Sequence, residues 1–152
     1  MESSKRGNDM NDLERFVVAQ QKSYARALSE IKDGKKRSHW MWYIFPQLRG
    51  LGRSEISNFY GIADIAEAKA FLAHAYLGKN LTEMTSVLLT LTENDPVKLL
   101  GIPDNMKLKS CMTLFAEAAP ENKLFCNVLD QYFFGQKDQK TLDLLKFSEK
   151  EN

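Results

Sequence analysis

The segment from Ser38 to Gly52 constrains the fold of this chain more than any other stretch. Both tryptophans, Trp40 and Trp42, lie there beside His39, and Met41, Tyr43, Ile44 and Phe45 complete an unbroken apolar run. Aromatic side chains each hide a large area and dominate cores, so a run this dense belongs inside. It is entered from the charged Lys35-Lys36-Arg37 and left through Gly50-Leu51-Gly52. The segment therefore marks where the core meets the surface, and with that a place where a ligand can sit.

At 152 residues the chain fits one domain, and a chain of that size buries roughly 70% of its extended surface on folding. A hydrophobic content of 43% supplies the core, and a net charge of +1 leaves no field of one sign. Nucleic acid is disfavoured as a partner, because little counterion release is on offer. Cys111 and Cys126 form no CxxC pair and fall on apolar helical stretches, which suits reduced thiols in a cytoplasmic protein; a stapling disulfide is the alternative. Met1 to Asp9 has no apolar signal region. Trp40 to Phe45 is far short of the ~20 residues that span a bilayer, so no membrane partner is expected.

Helix signals recur along the chain, and sustained period-two alternation is absent. Residues 1–10 read as a disordered lead. Asn11 and Glu14 form a capping box for a first helix, with Leu13, Phe16, Val17, Tyr24, Leu28 and Ile31 on one face and Gly34 as its left-handed end. Ser38 is placed to cap a short second helix that Pro46 stops. Ser54 opens a helix ending near Gly61, and Asp64 with Glu67 opens one through Ala73. A longer helix runs from about His74 to Thr92. Asp95-Pro96 starts a short helix closed by Gly101, and Asp104 caps one reaching about Ala119. Asn122 begins another, ended by Gly135; Asp138 caps the last, and residues 148–152 read as a frayed tail. The expectation is an all-α fold: one globular domain of about eight short helices over 11–147. Trp40, Ile44, Phe16, Leu88, Phe115 and Leu129 should share its core. The competing possibility is a central strand at Trp42 to Phe45, where aromatic and β-branched density also suits a sheet.

Several of these segments carry a resemblance. They are Leu13-Glu14-Arg15-Phe16 with Ala19-Gln20, the run from Ser38 through Leu48, Leu51-Gly52 with Ser54, Lys107 to Ser110 with Met112 to Phe115, and Asp130 with Tyr132-Phe133 and Gly135. Together they resemble a bacterial family known as a domain of unknown function, number 1810. The resemblance covers nearly the whole chain after residue 11 and implies a helical fold. It implies no activity, cofactor or catalytic residue. Ala75 departs from the family's pattern, where a proline follows His74, and leaves the start of that helix open.

His39 in the first turn of the second helix would be held neutral by the helix dipole, able to donate to a ligand or act as a base. The plainer reading is a buried histidine bonded to backbone. On a helix, His39, Trp42, Tyr43 and Pro46 share one face that could flank a planar ligand, with Gln47 just beyond; core packing is the plainer reading here too. The cations argue more strongly. Lys35-Lys36-Arg37 precede one helix start, and Lys107 and Lys109 lie near another. There the dipole disfavours cations by about 0.3–1 kcal/mol each, unless an anion binds. The structural explanation is that the first cluster also follows a helix end, and that Lys107 and Lys109 are simply solvated. No Walker loop, GxGxxG or metal-ligand cluster is present, so no metal and no cofactor is expected.

Two functions follow. One is a small-molecule site for a phosphate-bearing or nucleotide-like anion, with His39, Trp42, Gln47, Arg53, Lys109 and Ser110 around one concavity and His39 as the sole candidate catalyst. The other is a protein-interaction module in which the aromatic segment is purely structural.

Overall fold

The computed structural model describes the backbone of residues 2–151 and the side chains of residues 13–147. Nine helices are present among the described residues: α1 (Glu2–Lys32), α2 (Met41–Ile44), α3 (Glu55–Phe59), α4 (Ile65–Ala73), α5 (Ala75–Thr90), α6 (Pro96–Leu100), α7 (Asp104–Ala118), α8 (Leu124–Phe133) and α9 (Gln139–Glu151). The all-α expectation holds. Among the described residues the only β interaction is an isolated parallel bridge between Leu48 and Ile62, and Trp42 to Phe45 belong to no sheet.

Helix α7 is the axis of the packing. Nine of its fifteen residues are buried, on every side of the helix, which is what a central helix requires. It packs against α4, α6, α8 and α9, while α5 packs against α1, α4 and α8. Phe16, Trp40, Ile44, Leu88, Phe115 and Leu129 all fall in one buried cluster, as their spacing implied. Phe71 bridges two layers of it, edge-on to Phe16 at 5.1 Å and tilted against Phe115 at 5.5 Å. Cys111 is buried, Cys126 is half-buried, and both thiols are free.

Most boundaries follow from caps. Asp64 Oδ1 accepts from the Glu67 N–H at 2.9 Å while Glu67 reaches back to the Ala63 N–H at 2.7 Å, a reciprocal closure of two donors. Asp95 caps α6 ahead of Pro96, and Asp138 Oδ2 accepts from the Thr141 N–H at 3.0 Å at the start of α9. At the start of α5 the imidazole of His74 is itself the cap: His74 Nδ1 accepts from the N–H groups of Tyr76 and Leu77. Ala75 can therefore open α5 without a ring.

Four starts differ from expectation, the smallest difference being at α8, where Lys123 rather than Asn122 holds the cap position. Helix α1 begins at Glu2, so the backbone before residue 11 is helical and the Asn11–Glu14 pair lies inside the helix rather than at its end; the side chains of the expected lead and tail lie outside the described ones. Pro103, joined to Ile102 by a cis peptide bond, occupies the cap position of α7, and Asp104 is its first residue. The second helix is a single turn, and Ser38 does not cap it. Trp40 takes that position with no side-chain bond, because the Ser38 hydroxyl is held elsewhere.

That holder is Glu30. Its carboxylate accepts from the backbone N–H of Arg37 at 2.8 Å, the N–H of Ser38 at 3.0 Å, the Ser38 hydroxyl at 2.5 Å and the Trp40 indole N–H at 2.8 Å. The carboxylate thus shapes the backbone between α1 and α2 and fixes Trp40 in the core. Gln20 completes the anchoring, donating to the Tyr43 carbonyl at 2.7 Å and accepting from Asn80 of α5 at 2.9 Å. Farther on, Arg49 and Ile62 join by the hydrogen bond from the Arg49 N–H to the Ile62 carbonyl at 2.7 Å, which closes the excursion carrying α3. Arg15 and Arg49 both donate to the Gly61 carbonyl, at 2.8 and 3.0 Å. A Cβ at Gly61 would lie 2.7 Å from Arg49 Cα, so glycine is needed there for close approach.

Candidate functional site

A cleft of about 540 Å³ opens where the Gln47–Gly52 segment, the first turns of α7 and the start of α9 meet. The local structure explains the meeting. Thr113, buried on α7, accepts from the Asp138 N–H at 2.9 Å and so docks the beginning of α9 beside α7. Gly52 lets its loop close over α3, since a Cβ there would lie 2.5 Å from Ser57 Oγ. Ser57 and Gln47 then form one wall of the cleft, and Leu51, Pro103 and Met106 give it apolar surface.

Four lysines stand in the rest of the lining. Lys107 and Lys109 come from α7, and Lys137 and Lys140 flank the cap of α9. Lys137 donates to Glu117 at 2.7 Å, and that bond holds its ammonium above the ordinary lysine range. Lys107 lies 3.5 Å from Asp104. Lys109 and Lys140 have no ion-pair partner among the described residues. Asp138, the carboxylate in the lining, is engaged as the α9 cap, where Thr141 donates to it from both its hydroxyl, at 2.6 Å, and its backbone.

Behind the cleft lies a narrow recess of about 10 Å³, room for one water at most. Met41, Trp42, Phe45 and Tyr60 line it, and Gln47, Ser57 and Lys107 belong to both recess and cleft. The Lys107 ammonium rests 4.8 Å from the Trp42 ring centroid.

Gln47, Lys109 and Ser110, three of the six residues expected to share a concavity, line this cleft. Ser110 is buried and its hydroxyl donates to the Met106 carbonyl at 3.1 Å, within its own helix. Trp42 lines the recess rather than the cleft. His39 and Arg53 line neither. His39 is exposed on the bend before α2, with its carbonyl accepting from the Tyr43 hydroxyl at 3.3 Å, and Arg53 is exposed on the loop. The shared helical face of His39, Trp42, Tyr43 and Pro46 does not form, because α2 has one turn and Pro46 is buried.

The basic residues near helix starts also have local explanations that their spacing hid. Lys36 reaches Asp104 at 2.8 Å and lies over the Trp40 ring, so Lys36 and Lys107 share one carboxylate. The sequence reading does not single out Lys137 and Lys140, which bracket the Asp138 cap as Lys107 and Lys109 follow the start of α7. Applying the same helix-start criterion to the last helix finds them. No group of three or more His, Cys, Asp or Glu side chains able to hold a metal occurs among the described residues.

Fold and site together define a small all-helical domain with a lysine-lined cleft at the junction of two helix starts. The chain belongs to the family described as a protein of unknown function (DUF1810), whose pattern it matches over residues 10–145. Among solved structures it is similar to the conserved hypothetical protein Rv1873 from Mycobacterium tuberculosis, with 44% identity, a TM-score of 0.87, and coverage of 89% of this chain and 96% of that one. None of the curated proteins matches it.

Proposed function

We propose that the cleft binds a small molecule through a phosphate or similarly compact anionic group. One observation carries this reading: Lys109 and Lys140 line a concavity with no ion-pair partner among the described residues, while the carboxylate beside them is occupied as a cap. The first turns of α7 and α9 add the positive ends of two helices, of 15 and 13 residues, and such ends favour anions. A volume of about 540 Å³ is that of a nucleotide-sized ligand rather than of a bare ion. On this reading Gln47 and Ser110 are neutral neighbours of the anion. The reading is of binding, and turnover is not needed for it.

The test is a thermal-shift series with inorganic phosphate, ribose 5-phosphate and the common ribonucleoside monophosphates. The Lys109→Ala/Lys140→Ala variant should lose the shifts seen with the native chain while keeping its own melting temperature within a few degrees. His39→Ala should keep them, since the histidine lies outside the cleft. Absence of any shift at millimolar ligand would overturn the reading.

A second reading, the protein-interaction module, draws on apolar side chains at the surface. Phe134 is 94% exposed, and Ile102, close to the cleft's Pro103, is 78% exposed. Light scattering of the native chain and of Phe134→Asp distinguishes self-association through that side chain from a purely monomeric protein.

A further inference from the structure

Lys107 occupies a position that the anion reading leaves unused. It belongs to both the cleft and the aromatic recess, and its ammonium covers the Trp42 ring. Its ion pair is the longer half of a shared carboxylate: Asp104 holds Lys36 at 2.8 Å and Lys107 at 3.5 Å. A long, flexible ammonium held in this way can exchange one anion for another with little loss. With the amine over the indole, the recess admits one water at most, and no ring can enter. Once the amine turns toward an anion in the cleft, the face of Trp42 is uncovered, next to Phe45 and Tyr60.

We propose that the Trp42 face is the subsite for a planar group of the ligand, and that Lys107 closes it until the ligand's anion draws the ammonium away. The ligand class is then an aromatic phosphate ester, such as a nucleoside monophosphate, in preference to a sugar phosphate. This rests on the reading of the cleft as an anion site. Trp42 is half-buried with no side-chain hydrogen bond among the described residues, whereas Trp40 is buried and bonded to Glu30. The two indoles therefore report separately: Trp42 on the subsite, Trp40 on the fold.

The experiment measures affinity and tryptophan fluorescence of the full chain with ribose 5-phosphate and with the ribonucleoside monophosphates, for the native protein, Trp42→Leu and Lys107→Met. Stacking of a base on an aromatic ring is worth roughly a factor of five or more in affinity. The expected result is that both probe types bind, that at least one nucleotide binds about fivefold or more tightly than ribose 5-phosphate and quenches fluorescence, and that Trp42→Leu removes both the preference and the quench. That variant should still bind ribose 5-phosphate as the native chain does, which shows that the cleft is intact. Lys107→Met should weaken ribose 5-phosphate binding, because the amine that turns to the anion is gone. Equal binding of both probe types with unchanged fluorescence overturns the subsite and leaves the anion site standing. Failure of every phosphate to bind overturns both.

Discussion

Glu30 shows how much of this fold rests on one side chain. Burial by itself would raise its carboxyl, but hydrogen bonds from the Ser38 hydroxyl, the Arg37 N–H, the Trp40 indole and the Ser38 N–H outweigh that and bring it from 4.5 down to about 2. The group is 7% exposed, so solvent screens these bonds little. Its charged form favours the native state, and the contribution is complete above pH 4.5 and lost as the pH falls toward 2. The size is about 3 kcal/mol. Glu30→Gln should therefore lower stability at neutral pH by about 2–3 kcal/mol in urea titrations, because a neutral amide weakens the three bonds that Oε1 accepts and faces the Ser38 hydroxyl with an N–H in place of an acceptor. The variant should also flatten the loss of stability between pH 4.5 and 2; an unchanged acid limb would show that other carboxylates set it. Sequence spacing gave no sign of this role. Spacing makes Ser38 a helix cap and gives Glu30 no role, because it registers local patterns only. The bonds that decide both roles span seven to ten residues and form only after α1 has ended.

Asp104 does for the elements what Glu30 does for a loop. It starts α7, where a negative charge suits the dipole, and it ties the α1–α2 connection to α7 through Lys36. The side chains of Lys36 and Asp104 are only 9% and 16% exposed, so removing the acid leaves a poorly solvated cation. Asp104→Ala should cost about 2 kcal/mol in denaturant unfolding, more than a surface pair is worth. It should also loosen Lys107 and so raise affinity for a phosphate ligand. Stability loss without any gain in affinity would place Lys107 outside the binding step. At Gly61 the demand is steric. Gly61→Ala forces a Cβ against the backbone of Arg49 and should cost about 1–3 kcal/mol by thermal unfolding. Most helix ends were legible beforehand because capping is a contract between residues two to four apart: Asp64 with Glu67, Asp95 with Val97, Asp138 with Thr141. The His74 cap was not legible, since imidazole is an uncommon acceptor for helix N–H groups.

For the whole molecule, ligand binding is the measurement with the widest reach. At 100 times its dissociation constant a ligand stabilises by about 2.7 kcal/mol, which in a domain of this size is a shift of about 5–10 °C. The shift should shrink as sodium chloride rises, because the lysines at the cleft are partly open to solvent and their attraction is screened. A shift indifferent to salt would point to apolar contacts with Leu51 and Met106 instead of the lysines. No helix among the described residues is long and apolar enough to cross a membrane.

By itself the sequence determined what short-range chemistry can determine. Apolar residues three and four apart select helices, caps and left-handed glycines bound them, and Phe16, Trp40, Ile44, Leu88, Phe115 and Leu129 take their place in the core as apolar members of such runs. The tertiary structure decided which charges meet. Lys36 comes from the α1–α2 connection to meet Asp104 beside Lys107 on α7, Thr113 of α7 fixes where α9 begins, and Lys140 joins Lys109 across that contact. A buried helix face can be read from the spacing of its apolar residues along one stretch of chain. A cleft is a property of packed elements, and its lining exists only once those elements have chosen their neighbours.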